Sequence, residues 1–213
     1  MEPKFVNNVV NVNCNYAGSI THNGGKSTNG IVSGNQIYIK GNQTNSLFLG
    51  NSQVTNNKIT IDGRMKTVYF ADSNKELASD ILIDNNALIY NFDDTSDDYT
   101  LPQASGGFYQ TGRTGCTFVD IASKSAKDDY SVYISNNQIK APLCTTRNKH
   151  LLSYTNPSFT VAITKNKLQK FFYLRGISEA NQDKIIYSNN CDSKGNALNK
   201  SDWLFENILK DTD

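Results

Sequence analysis

The chain has no apolar run approaching the ~18–20 residues that a membrane-crossing helix needs. No apolar h-region follows Met1-Glu2-Pro3-Lys4, so no signal peptide is read there. Neither sign of charge is in excess. The 21 basic and 20 acidic residues leave a net +1, and no basic stripe emerges, which excludes nucleic acid as the expected partner. Histidine is limited to His22 and His150, so any imidazole base must be one of these two. Cysteine is limited to Cys14, Cys116, Cys144 and Cys191. None stands in a C-x-x-C pair, which argues against a zinc ribbon or a thioredoxin-like redox site. Their even count and wide spacing in a turn-rich chain read as disulfides, with three pairings open. That reading predicts an exported domain, extracellular, at the cell surface or periplasmic, here without its leader or anchor. The alternative is a cytosolic protein.

What the chain has in excess is asparagine, 28 among 213 residues. Asparagine tolerates the left-handed region and closes local side-chain turns, so the excess suits a chain with many tight turns. Between the turns lie short alternating strands: Ile37 and Ile39 in QIYIK, Ile59 and Ile61 after Asn56-Asn57, and MKTVYFA up to Ala71. The organising stretch is residues 158–174. Phe159, Val161 and Ile163 alternate with polar or small residues, Lys165-Asn166-Lys167 breaks the run, and Leu168, Phe172 and Leu174 resume it. This predicts a β-hairpin, and a second hairpin is predicted to turn at Asn136-Asn137. Ser73-Asn74-Lys75-Glu76 matches a capping box and predicts a short helix with Leu77, Ile81 and Leu82 on its apolar face. A last helix is expected over WLFENIL, residues 203–209. No internal repeat of fixed period is evident.

The expected fold is therefore mainly β, with antiparallel sheets in a sandwich or a pilin-like α+β arrangement and one or two short helices. Residues 1–30 read as an N-terminal strand and flexible loop, and residues 31–213 as a β-rich domain with a soft boundary near 93–107.

Four groups of residues are candidates for chemistry. Cys116 follows Gly115 and would be a nucleophile if His22 or His150 served as its base, which makes a cysteine-dependent hydrolase one alternative. The disulfide reading competes for the same cysteines and is preferred. Asp93, Asp94, Asp97 and Asp98 form an acidic loop that would suit calcium, although the central glycine and closing glutamate of an EF-hand loop are missing. No other cofactor is expected. Tyr109, Tyr130, Tyr133 and Tyr173 would line a sugar- or protein-binding face by stacking, or else serve as cross-strand partners. His22-Asn23-Gly24-Gly25-Lys26-Ser27-Thr28 lacks the early glycine of a phosphate loop, having Ile20 there, and reads as a solvated loop.

The strand-rich body, the scarce helices and the cysteine pair Cys144 and Cys191 bracketing the late hairpin resemble the globular head of a bacterial type IV minor pilin or type II secretion pseudopilin. The resemblance is architectural and spans residues 31–213, without the leader and apolar N-terminal helix that carry that family's motif. It implies that Cys144 and Cys191 delimit a disulfide-bounded surface region. It also implies a packing role in a fibre or its tip, as a fimbrium-like, adhesive surface component with no catalytic residues. The expected function is thus non-catalytic, structural or adhesive, with other protein subunits or a host surface ligand as partners and no direct membrane insertion. A secreted carbohydrate- or protein-binding module is the alternative.

Overall fold

A computed structural model describes residues 4–13, 21–22, 30–41, 44–49, 52–63, 65–71, 80–91, 116–121, 131–143, 150–154, 160–169, 171, 173–175, 179–199 and 205–206. Its logic is set by a turn of two residues that recurs seven times. The first residue has positive φ: Asn7, Gly34, Asn56, Asn85, Asn136, Lys165 and Asn189. The second is always asparagine: Asn8, Asn35, Asn57, Asn86, Asn137, Asn166 and Asn190, none of which has positive φ. A two-residue hairpin of type I′ needs positive φ at both central residues, which these turns lack. The strands on either side of each turn pair with other coils and not with each other, so the chain does not fold back on itself. It bends out of one sheet and into another.

Each turn therefore joins a strand of a first sheet to a strand of a second. A third strand completes the coil before the chain returns to the first sheet one level further on. The first sheet stacks Lys4–Val6, Gly30–Ser33, Ser52–Thr55, Ile81–Asp84, Ser131–Ser135, Thr160–Thr164 and Ile185–Ser188. The second stacks Val9–Asn13, Gln36–Lys40, Lys58–Asp62, Ala87–Tyr90, Gln138–Lys140, Lys167–Leu168 and Cys191–Asp192. The third stacks Thr21–His22, Thr44–Leu49, Met65–Ala71, Thr117–Ile121, His150–Tyr154, Tyr173–Arg175 and Phe205–Glu206. Every ladder between these strands is parallel, for example Val132 beside Val161 and Ile37 beside Ile59. Over the described residues the architecture is a parallel β-solenoid of seven coils.

This overturns the expectation of antiparallel sheets with short helices. Residues 158–174 are not a hairpin. Thr160–Thr164 pairs with the coils before and after it, and Lys167–Leu168 lies in a different sheet. Asn136-Asn137 is likewise a corner between sheets. The only helical element among the described residues is a 3₁₀ segment, Glu179–Lys184. The expected capping box at residues 73–76 lies outside the described residues. Ile81 and Leu82, assigned to that helix, belong to a strand paired on both sides. Of the expected helix at 203–209, Phe205–Glu206 is a strand beside Leu174 and Arg175.

The core follows from period-2 alternation. In QIYIK, Ile37 and Ile39 are buried and Gln36, Tyr38 and Lys40 are exposed, and the same rhythm recurs in KITID and SVYIS. The third sheet behaves differently. Leu47-Phe48, Val68-Tyr69, Phe118-Val119 and Leu151-Leu152 are consecutive buried pairs. Neighbouring side chains point to opposite faces, so both faces of this sheet are out of solvent at these levels. At the exit from Lys58–Asp62, Gly63 has φ 140° and packs on the Gly41 backbone, where a Cβ would collide with the Gly41 carbonyl.

Candidate functional site: the outer face of the first sheet

The asparagine at the second turn position fixes the register of the whole stack. The Oδ1 of Asn137 accepts from the main-chain N–H of Asn86 (3.0 Å) and from its Nδ2 (3.0 Å). Its own Nδ2 donates to the Ile83 carbonyl (2.9 Å) and to Asn166 Oδ1 (3.0 Å). Both lone pairs and both amide hydrogens are thus used. The pattern repeats at Asn35, Asn57, Asn86 and Asn166, and Asn190 closes it with a bond to the Ile163 carbonyl. The residue before each turn asparagine up to Asn166 donates its N–H one coil onward, as Asn85 does to the Ser135 carbonyl and Asn136 to the Thr164 carbonyl, both at 3.1 Å. The asparagines from Asn35 to Asn190 are buried. Because six linked amides lock every coil to the next, outward side chains fall in straight rows, one strand spacing of about 4.8 Å apart.

On the first sheet these rows form a surface. Leu82, Tyr133, Ala162 and Ile186 are in register across four successive coils, with Tyr133 40% and Ile186 53% exposed. Beside them runs a polar row, Asp84, Ser135, Thr164 and Ser188, which Ser33 and Thr55 continue toward the N-terminus. Short bonds tie this row together: Ser135 Oγ donates to Asp84 Oδ1 (2.6 Å), Asn136 Nδ2 donates to the same oxygen (2.7 Å), and Thr55 Oγ1 donates to Ser33 Oγ (2.9 Å). The result is a flat face with an apolar strip about 14 Å long and a hydrogen-bonding strip alongside.

The second sheet carries a smaller cluster. Tyr38 Oη donates to Asp62 Oδ2 (2.6 Å) and Asn91 Nδ2 donates to Asp62 Oδ1 (2.9 Å). The Tyr38 bond, then Asn91, then the charge of Lys40 hold the Asp62 carboxyl below the usual carboxylate range. The same bond pushes the Tyr38 phenol up. A carboxylate engaged this fully is a poor general base.

The sequence-derived candidates are distributed unevenly over this frame. Tyr133 stands in the exposed strip, whereas Tyr173 lies in a third-sheet strand and Tyr109 and Tyr130 fall outside the described residues. Cys116 and His150 are brought to adjacent strands, where the His150 N–H donates to the Cys116 carbonyl (3.0 Å). Both are buried, and the Cys116 thiol points to the Thr117 carbonyl at 3.9 Å. A thiol shut away from solvent cannot meet a substrate without local opening, which counts against a nucleophilic role for Cys116. His22 sits in the first coil, three strand spacings from that level, about 14 Å. Cys191 is a free, half-buried thiol, and Cys14 and Cys144, the latter its expected disulfide partner, lie outside the described residues. So do Asp93, Asp94, Asp97 and Asp98, and the described residues hold no group of side chains suited to a metal ion. Among the described residues, no helix is long and apolar enough to cross a membrane.

Ala162 and Ile186 were not singled out from sequence, Leu82 was assigned to a helix, and Asn57, Asn137 and Asn166 were read only as turn or break residues. Their signal was present in the recurrent asparagine pairs Asn56-Asn57, Asn85-Asn86, Asn136-Asn137 and Asn189-Asn190, each ahead of an alternating segment. No family model matches the chain, and neither a curated protein nor a solved structure matches it.

Proposed function

We propose that this chain is a non-catalytic structural or adhesive domain, acting outside the cell, that binds through the outer face of its first sheet. The observation that carries this reading is the Leu82–Tyr133–Ala162–Ile186 strip beside the Asp84–Ser135–Thr164–Ser188 row. A parallel sheet normally has both faces covered, so an apolar strip left in solvent on a rigid stack is a surface suited to contact. Tyr133 offers a ring face and the polar row offers hydroxyls, which favours an extended partner such as a glycan chain or a protein segment lying along the solenoid axis. Fibre assembly in the manner of a pilin head has only the sequence resemblance behind it.

The test is binding of the purified chain to soluble polysaccharides and to extracellular surface proteins, compared with Tyr133→Ala and Ile186→Ala. Both side chains are exposed, so their removal should leave the melting temperature within a few degrees of the parent. A saturable ligand whose affinity falls at least about tenfold in either variant supports the reading, since that corresponds to the loss of about 1.4 kcal/mol from a contact residue. Binding indifferent to both substitutions removes this face from the proposal.

A further inference from the structure

The two ends of the solenoid are finished differently. At the C-terminal end the second sheet is closed by the chain itself. Residues 192–198 turn back so that Cys191 and Ala197 form an antiparallel bridge, and the Leu198 N–H donates to the Asn190 carbonyl at 2.9 Å. That carbonyl is the acceptor which, in every interior coil, receives the N–H of the residue after the next asparagine, as Asn166 receives Cys191. The end is capped.

The N-terminal end has no such return among the described residues. Asn8 Oδ1 accepts no bond there, unlike the ladder oxygens of Asn35 to Asn190, and Val9 and Val6 are 70% and 40% exposed. The Gln36 N–H donates to the Asn8 carbonyl, so Asn8, Val10 and Val12 turn their main-chain groups toward the second coil. Val9, Asn11 and Asn13 therefore turn theirs to the open edge. Native edges of this kind are usually blunted by charge or proline. Residues 6–13, Val-Asn-Asn-Val-Val-Asn-Val-Asn, contain neither, which is the composition of a segment that pairs with its like.

We infer that the open edge of Val9–Asn13 pairs antiparallel with the same edge of a second copy of this chain, about a two-fold axis at Asn11. The register follows from chemistry. With Asn11 opposite its counterpart, Val9 faces Asn13 and Asn13 faces Val9, and these are the residues whose main-chain groups are directed outward. Val10 then lies opposite Val12 on the core side, where both are half-buried and packed on the hydrophobic core. The two cores become continuous through apolar pairs. The contact is isologous, and at the other end the return of residues 192–198 covers the second-sheet edge that Val9–Asn13 would otherwise meet head to tail, so association through this strand stops at two copies.

Three measurements on the full chain decide it. Sedimentation equilibrium at concentrations up to about 100 μM should show a dimer. Asn11→Lys sets two lysines directly opposite each other across the axis, with Cα atoms about 5.5 Å apart, and their like charges should give a monomer with the circular dichroism spectrum of the parent. Asn11→Cys, with Cys14→Ser to remove the neighbouring native thiol, should cross-link to a covalent dimer on mild oxidation, because that separation lies within the range a disulfide spans. If Asn11→Lys misfolds, the cross-link carries the decision alone. A parent chain that stays monomeric, a dimer that survives Asn11→Lys, or a dimer that fails to cross-link through residue 11 would each overturn the inference.

Discussion

At the scale of single residues, the asparagines of the ladder are the most costly to change. Truncating Asn137 to alanine leaves the Asn86 N–H without its acceptor and removes one bond each from the Asn86 side-chain amide, the Ile83 carbonyl and the Asn166 oxygen, all in a buried setting. The amide keeps the Val54 carbonyl and the oxygen keeps the main-chain N–H of residue 137. Each buried group left without a partner costs about 1–3 kcal/mol, and partial relaxation keeps the total to roughly 3–5 kcal/mol. In a domain of this size that corresponds to a fall in Tm of roughly 10 °C or more. Asn8→Ala offers the matched comparison. Asn8 is half-buried at the end of the stack, and its side chain makes two bonds of 3.1–3.2 Å, so about 1 kcal/mol is the expected loss. Paired thermal melts check the difference; equal effects at the two positions would mean that the ladder is decoration. Sequence reading saw these asparagines as turn formers, which is half of their role. The other half, stacking one amide on the next, depends on residues 22 to 51 positions away and has no local signature.

At the scale of elements, strand content was legible and strand pairing was not. The alternations in QIYIK, KITID and TVAIT mark strands wherever they occur, because burial on one face needs only period 2. Partner choice depends on the turn. The distinction between a hairpin and a corner lies in the full backbone path of the turn, which residue type does not settle when asparagine fits both. The C-terminal return illustrates an element whose stability can be titrated. The Asp192 carboxylate accepts from the Lys194 N–H (2.8 Å), the Asn196 N–H (2.9 Å) and Asn196 Nδ2 (2.8 Å). These bonds, the Asn196 side chain foremost, hold its carboxyl below the ordinary value of 3.8. A folded-state value below the unfolded one means that the stabilisation is fully present above pH 3.8 and is lost as pH falls through the lower folded value. The NMR contact between Cys191 and Ala197 should therefore weaken below about pH 3.8 while the interior rungs persist. Asp192→Asn should show the same fraying at neutral pH, and a contact that survives in both cases would assign the cap to its main-chain bonds alone.

At the scale of the whole molecule, the coils are unequal and the turns are not. Successive ladder asparagines are separated by 27, 22, 29, 51, 29 and 24 residues, which is why a search for a fixed period finds nothing. The length varies elsewhere in the coil, never in the two residues that join the first sheet to the second. A solenoid of this kind is stabilised by each coil against its neighbours, so what must be conserved from coil to coil is register, and chain length between fixed points is free. Insertion tests this directly. Four residues of Gly-Ser-Gly-Ser placed after Leu143, which is exposed beyond the second-sheet strand Gln138–Lys140, lengthen an already variable connection. Loop-closure entropy changes little with such an addition, so the expected cost is below about 1 kcal/mol. The same four residues placed after Asn56 separate its left-handed turn from Asn57. The bonds of Asn57 to the ladder on either side, to Asn35 and Asn86, then cannot form together with Asn56 N–H to the Asp84 carbonyl. Because coupling runs only between neighbours, that break should separate the coils before it from those after it and divide one cooperative melt into two. Calorimetry on the two insertion variants distinguishes the cases: a single transition near the parent Tm for the first, and a split or strongly lowered transition for the second. If both insertions are equally tolerated, the two-residue corner is not what sets the register of the stack.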